Sequence, residues 1–222
     1  MRYAIYYCPS VHTALGRLGE EWLSQVRQPS ELPRLSPERR KLLLADAQRY
    51  GWHATIHAPF APMDGVTDAD IRAAVVTLAE TFTAFELTLR LDTLAGFLCL
   101  RPVADGIPER MLAAACLHLL KPLRAVLPEK ALERRSAGLD TEELALLHEY
   151  GYPYVLHRYR FHLTLAAPAS EFEEAAMRQW LQPRIVALPP SRIDALAICR
   201  EPSPGSPIEL LERVPLRGER LA

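Results

Sequence analysis

Long apolar runs are missing from this 222-residue chain: no window approaches 18 uninterrupted apolar residues, so no membrane span is expected. The start, Met1-Arg2-Tyr3-Ala4-Ile5-Tyr6-Tyr7, has neither a secretory apolar region nor a small-residue cleavage site, and the expected location is the cytoplasm. Excess charge of one sign is also missing. Lys+Arg 26 against Asp+Glu 27 leaves a net charge of -1, which argues against long nucleic acid as the partner while leaving room for a local basic cleft. Lysine is scarce, with Lys41, Lys121 and Lys130 the only ones, so the basic side chains are overwhelmingly arginine. The four cysteines, Cys8, Cys99, Cys116 and Cys199, show neither CxxC pairing nor zinc-finger spacing and read as small buried hydrophobes. Gly 10 and Pro 19 are too few for a low-complexity polymer, and 49% apolar residues are too many for a disordered chain.

What remains is a globular chain long enough for one core or two small lobes. Arg2 to Cys8 reads as an opening strand closed by Pro9. Helical spacing follows over Val11 to Val26 and over Pro37 to Gln48, the second with Ser36 as N-cap and proline at the first helical position. A strand surrounds His53. Thr67 and Asp70 form a capping box for a helix to about Thr83, and strands at Glu86 to Asp92 and Phe97 to Pro102 join through Gly96. Helices are expected over Ile107 to Leu127 and Thr141 to Tyr150, then a second strand from Tyr159. Ser170 and Glu173 cap another helix to Leu181, and strands at Ile193 to Cys199 and Ile208 to Val214 close the chain.

Both halves run strand, helix, strand, strand, and they share a block. Arg49-Tyr50-Gly51-Trp52-His53-Ala54-Thr55-Ile56-His57-Ala58-Pro59 aligns without a gap to Arg158-Tyr159-Arg160-Phe161-His162-Leu163-Thr164-Leu165-Ala166-Ala167-Pro168, with six of eleven positions identical. The onward spacing is also shared, 32 residues from His53 to Phe85 and 31 from His162 to Ile193. A duplicated half, folded as one bilobal domain over 1–222, is the expectation. Strand alternation puts His53, Thr55 and His57 on one face and Trp52, Ala54 and Ile56 on the other; His162 and Thr164 share a face in the second copy. Arg49 falls on the His53 face, and Arg158 and Arg160 on the His162 face.

Two imidazoles and two hydroxyls across a cleft suit a phosphodiester. Its cleavage needs a base for the attacking oxygen and an acid for the departing one, and histidine serves either role near neutral pH. Threonine hydroxyls donate to the non-bridging oxygens. His53 and His162 are the candidate acid/base pair, Thr55 and Thr164 the candidate phosphate ligands, and His57, Arg160, Arg158 and Arg49 auxiliary candidates. No cofactor or metal is called for. A metal hydrolase would use His53 and His57 at i, i+4, but the sequence lacks the Glu of His-Glu-x-x-His and Pro59 favours a strand. A noncatalytic nucleotide- or RNA-binding module stays open beside it.

These residues resemble the 2H phosphoesterase superfamily, whose signature is two His-x-(Ser/Thr)-apolar motifs, here His53-Ala54-Thr55-Ile56 and His162-Leu163-Thr164-Leu165. Within it, the Arg-Tyr-Ala-Ile-Tyr start and the blocks around His53 and His162 resemble the bacterial branch associated with phosphonate-metabolism operons. The resemblance implies an α+β bilobal fold with two antiparallel sheets, flanking helices and a central groove holding both motifs. It also implies metal-independent activity on cyclic or 2',5'-linked phosphodiesters. The near-neutral charge favours a small ribosyl or nucleoside cyclic phosphate as partner over long RNA, with RNA ends as a further candidate. His57 stands where this branch commonly has Lys.

Overall fold

The computed structural model describes residues 1–24, 35–104 and 106–218. Among them the chain runs β1 (Arg2–Tyr7), α1 (Ala14–Ser24), α2 (Pro37–Tyr50), β2 (Ala54–Phe60), α3 (Asp68–Ala79), β3 (Phe85–Leu87), β4 (Leu89–Leu94) and β5 (Phe97–Pro102). It continues through α4 (Ile107–Leu120), α5 (Glu129–Ser136), α6 (Thr141–Tyr150), β6 (Leu163–Ala166), α7 (Glu171–Val186), β7 (Ser191–Ile193), β8 (Ala195–Glu201) and β9 (Glu209–Pro215). The start signals act as expected: Ser36 accepts from the Arg39 backbone, and capping boxes form at Thr67–Asp70 and Ser170–Glu173. Ala95 and Gly96, both at positive φ, turn β4 into β5.

Several boundaries differ from the sequence expectation. The first helix begins at Ala14, and its expected end at Val26 lies outside the described residues. The expected strand Glu86–Asp92 is split at Thr88, whose carbonyl accepts from Val103, and the closing strand is split likewise at Asp194. Helix α5 has no counterpart in the sequence expectation. The second motif strand starts at Leu163, four residues later than expected, and a 3-10 turn, Leu156–Arg158, precedes Tyr159.

The architecture is α+β with two antiparallel sheets, a seven-stranded one in the order β4-β5-β6-β2-β1-β8-β9 and a two-stranded one, β3-β7. Apolar side chains on alternate strand positions, among them Tyr3, Ile5, Tyr7, Ile56, Leu98, Leu100, Leu163, Leu165, Leu196 and Ile198, form one core with the inner faces of α1, α2, α3, α4 and α7. Trp22 of α1, fully buried, donates its indole N–H to the Leu165 carbonyl at 3.0 Å and pins α1 to β6. The opposite sheet face carries a separate small cluster, Ala4, Tyr6, Ala197 and Cys199, and the polar halves of both motifs.

The two His-x-Thr strands do not lie one in each sheet, as a bilobal reading would place them. They are neighbours in the large sheet, joined at Ala54↔Leu163. Leu163 is the residue that takes the place of Ala54 in the second block, and the small sheet likewise pairs Phe85 with Ile193, which lie 32 and 31 residues past the two motif histidines. Pairing each element with its own counterpart is the arrangement that a two-fold axis between halves produces.

Candidate active site

Antiparallel pairing about Ala54↔Leu163 sets the register of four side chains. Continued one residue either way, that register sets His53 opposite Thr164 and His162 opposite Thr55. Strand geometry spaces the rows by about 7 Å and the columns by about 5 Å, which puts the two histidine Cα atoms on the order of 8 Å apart across the diagonal. Ala54 and Leu163, both at 0% exposure, face the core and anchor this square from behind. Tyr159, also in the second block, donates its hydroxyl to the Thr55 carbonyl at 2.9 Å and ties one motif strand to the other.

The two imidazoles are held alike. Nδ1 of His53 lies 2.9 Å from the Gly51 carbonyl, and Nδ1 of His162 lies 2.7 Å from the Arg160 carbonyl, in both cases two residues upstream. A carbonyl only accepts, so Nδ1 carries a hydrogen in each ring and Nε2 is left for chemistry, as a lone pair when neutral and as a donor when protonated. Tyr6 stacks on His53 with ring centroids 4.0 Å apart, and Tyr50 tilts toward it at 6.3 Å. Burial pulls His53 down to about 4 against the opposing bond to Gly51, and a charge on His162 lowers it further. His162 is also lowered, first by burial and then by the Arg101 guanidinium. The Thr55 and Thr164 hydroxyls have no protein partner among the described residues.

The auxiliary candidates scatter. Alternation would put His57 beside His53 and Thr55, but the β1–β2 register slips between Tyr6↔Thr55 and Ile5↔His57. His57 then pairs with a core-facing residue, sits 5% exposed with its ring edge against Phe60, and feels Arg124 where His53 feels His162. Arg158 joins Asp140 and Glu142 in an exposed ion cluster at 2.7 and 2.8 Å. Arg49 pairs with the fully buried Glu201, which Arg2 also grips. Arg160 turns its guanidinium onto the His157 and Tyr159 carbonyls, and what it supplies to the site is its own carbonyl.

Two side chains enter the site that sequence reasoning passed over. Arg101 stands on β5, where Cys99↔Thr164 sets the register and alternation returns Arg101 to the same face. Tyr6, on β1, reaches His53 through Tyr6↔Thr55. The alternation of each strand was readable, but which strands would be neighbours was not. No group of three or more His, Cys, Asp or Glu placed to hold a metal ion occurs among the described residues.

An α+β fold in which two duplicated His-x-Thr strands lie side by side in one sheet defines a candidate two-histidine site. The chain belongs to the family described as "Protein of unknown function (DUF1045)", whose family model matches residues 55–209. Two curated relatives carry the name ribose 1,5-bisphosphate phosphokinase. The one from Laribacter hongkongensis (strain HLHK9) is 36% identical over 96% of this chain and 52% of its own length. The one from Janthinobacterium sp. (strain Marseille) is 32% identical over 98% and 51%. The chain thus spans about half the length of the curated relatives it matches. Similar solved structures include the protein TT0787 of Thermus thermophilus, with TM-score 0.47 and 18% identity over 99% of this chain and 100% of that one. Another is E. coli LigT complexed with 3'-AMP, with TM-score 0.45 and 16% identity over 97% of each.

Proposed function

We propose that the protein is a metal-independent phosphodiesterase that opens a small cyclic phosphate by two-histidine acid/base catalysis. The observation that carries this reading is the matched pair of imidazoles, each fixed through Nδ1 to a carbonyl two residues upstream and each set opposite the threonine of the other motif. In-line displacement needs a proton acceptor and a proton donor on opposite sides of phosphorus, and this arrangement offers two Nε2 atoms for the purpose.

The roles divide by environment. A pKa of about 4 makes His53 neutral at pH 7, so it takes the proton from water as that oxygen bonds to phosphorus. His162 protonates the ring oxygen as its bond to phosphorus breaks. The anionic phosphate favours the imidazolium form of His162 and offsets the burial and the Arg101 charge that lower it in the free protein. After one turnover His53 holds a proton and His162 has lost one, and exchange with solvent resets both. Thr55 and Thr164 donate to the non-bridging oxygens, where charge must be held during displacement.

For the substrate, the relatives' name offers support. Opening a ribosyl 1,2-cyclic phosphate that carries a 5-phosphate at its O2–P bond yields ribose 1,5-bisphosphate, the compound named in their activity. We therefore rank a ribosyl cyclic phosphate above nucleoside 2',3'-cyclic phosphates and RNA ends. Incubation with each, followed by phosphorus NMR, tests the reading: conversion of a cyclic signal to a monoester is expected. A cyclic phosphate that binds and survives incubation would instead mark a noncatalytic binding module.

A further inference from the structure

Past the bulge in β2 lies a second cleft, separate from the His53–His162 pair. It is a small cleft, lined by His57 and Phe60 on β2, by Arg124, by Arg135 of α5, and by Tyr150 and Gly151 where α6 ends. Three features set it apart. Arg124 donates to the Ala125 and Glu149 carbonyls at 3.2 and 3.1 Å, and Arg135 to the Gly151 carbonyl at 2.9 Å. No carboxylate among the described residues pairs with either guanidinium, whereas Arg39, Arg72, Arg158, Arg178 and Arg200 each hold one. Finally, Nε2 of His57, a side chain 5% exposed, is buried without a hydrogen-bond partner.

The backbone makes room for this cluster. Gly151 ends α6 at φ 73°, and a Cβ there would meet the Arg124 guanidinium at 2.5 Å. Burial disfavours the charge on both arginines, yet a guanidinium stays protonated in proteins. Two half-buried positive charges with only carbonyl partners therefore face a cleft with unused N–H donors. An unpartnered buried ring nitrogen is costly, and a ligand able to meet it would relieve that cost.

We infer that Arg124, Arg135 and His57 form an anion site for a phosphomonoester group. A phosphate suits all three: its oxygens accept from both guanidinium forks, and with Nδ1 of His57 bonded to the Ala58 carbonyl, Nε2 either accepts from the P–OH of a monoanion or, having taken a proton from solvent, donates to the dianion. Thr55 and His57 are two residues apart on β2, so a substrate carrying a second phosphate is one source of that group. That substrate link rests on the proposed cyclic-phosphate reading; the anion site itself does not. The phosphate would come either from the substrate's far end or from free phosphate.

The test uses the full chain labelled with ¹⁵N-histidine and titrated with inorganic phosphate at pH 7. The His57 ring signals, assigned by their loss in His57→Gln, are expected to shift saturably. Arg135→Gln and Arg124→Gln are each expected to weaken that response at least tenfold without altering the His53 and His162 signals of the unliganded protein. A His57 response that is absent, or unchanged in a folded Arg135→Gln variant, overturns the site. Arg135→Lys, which keeps the charge, is expected to retain part of the binding, and it covers the case in which Arg124→Gln fails to fold. Kinetics then separate the sources. A KM raised at least tenfold by Arg135→Gln only for cyclic phosphates bearing a second monoester assigns the site to substrate; equal KM values for both kinds, with phosphate binding lost, assign it to free phosphate. Absence of turnover on every cyclic phosphate would refute the proposed activity while leaving the binding result standing.

Discussion

The pH dependence of turnover probes the division of labour between His53 and His162 most directly. A His53 pKa of about 4 leaves on the order of one imidazole in a thousand protonated at pH 7. As a base His53 is then fully competent in the free enzyme; as an acid it would forfeit about a thousandfold, or roughly 4 kcal/mol. Because kcat/KM reports free-enzyme ionisations, its rising limb should be centred near pH 4, and its falling limb, set by His162, should lie below the ordinary histidine value of 6.5. In kcat the falling limb should move to higher pH, since bound phosphate favours the His162 imidazolium. Replacing His162 by Gln removes its charge but not the burial of His53, so a ¹⁵N titration of that variant should find His53 raised only modestly and still well below 6.5. Steady-state rates on the best cyclic phosphate, together with that titration, check the scheme. A rising limb centred at 6.5 or above, or a His53 that returns to 6.5 in His162→Gln, would refute the argument that burial sets the base.

Further outcomes follow from the same geometry. His53→Ala and His162→Ala should each lower kcat by about 10²- to 10⁴-fold, and the double variant by less than the product, because both act on one transition state. Thr55→Ala and Thr164→Ala should each cost roughly 1.5 to 3 kcal/mol in kcat/KM, one hydrogen bond to a charged oxygen. Exhaustive chelation should leave the rate unchanged; loss with EDTA and recovery with zinc or manganese would transfer the activity to a metal hydrolase. His57, neutral in the fold with a pKa near 4 and near 6.5 when unfolded, makes the folded state bind fewer protons between those values. Its contribution is complete above pH 6.5 and declines as pH falls, by about 2 to 3 kcal/mol at pH 4.5. Urea midpoints at pH 7 and 4.5 should therefore converge in a folded His57→Gln variant relative to the native chain.

Much of this protein is local in origin and was legible in the chain. Ser36, Thr67 and Ser170 announce their helices because capping is settled within four residues. The faces of the motif strands follow from a two-residue period, and the duplicated block singles out His53, Thr55, His162 and Thr164 because repetition is visible without any fold. The tertiary structure alone decided which strands became neighbours, since pairing joins residues about a hundred positions apart and no local pattern encodes it. That pairing set each histidine against the threonine of the other motif and brought in Arg101 and Tyr6. It also drew Arg49 and Arg158 into ion pairs. His57 shows the limit most sharply: alternation holds only while the ladder is regular, and one slip in the β1–β2 register moved it from the motif face to a buried cleft beside Arg124.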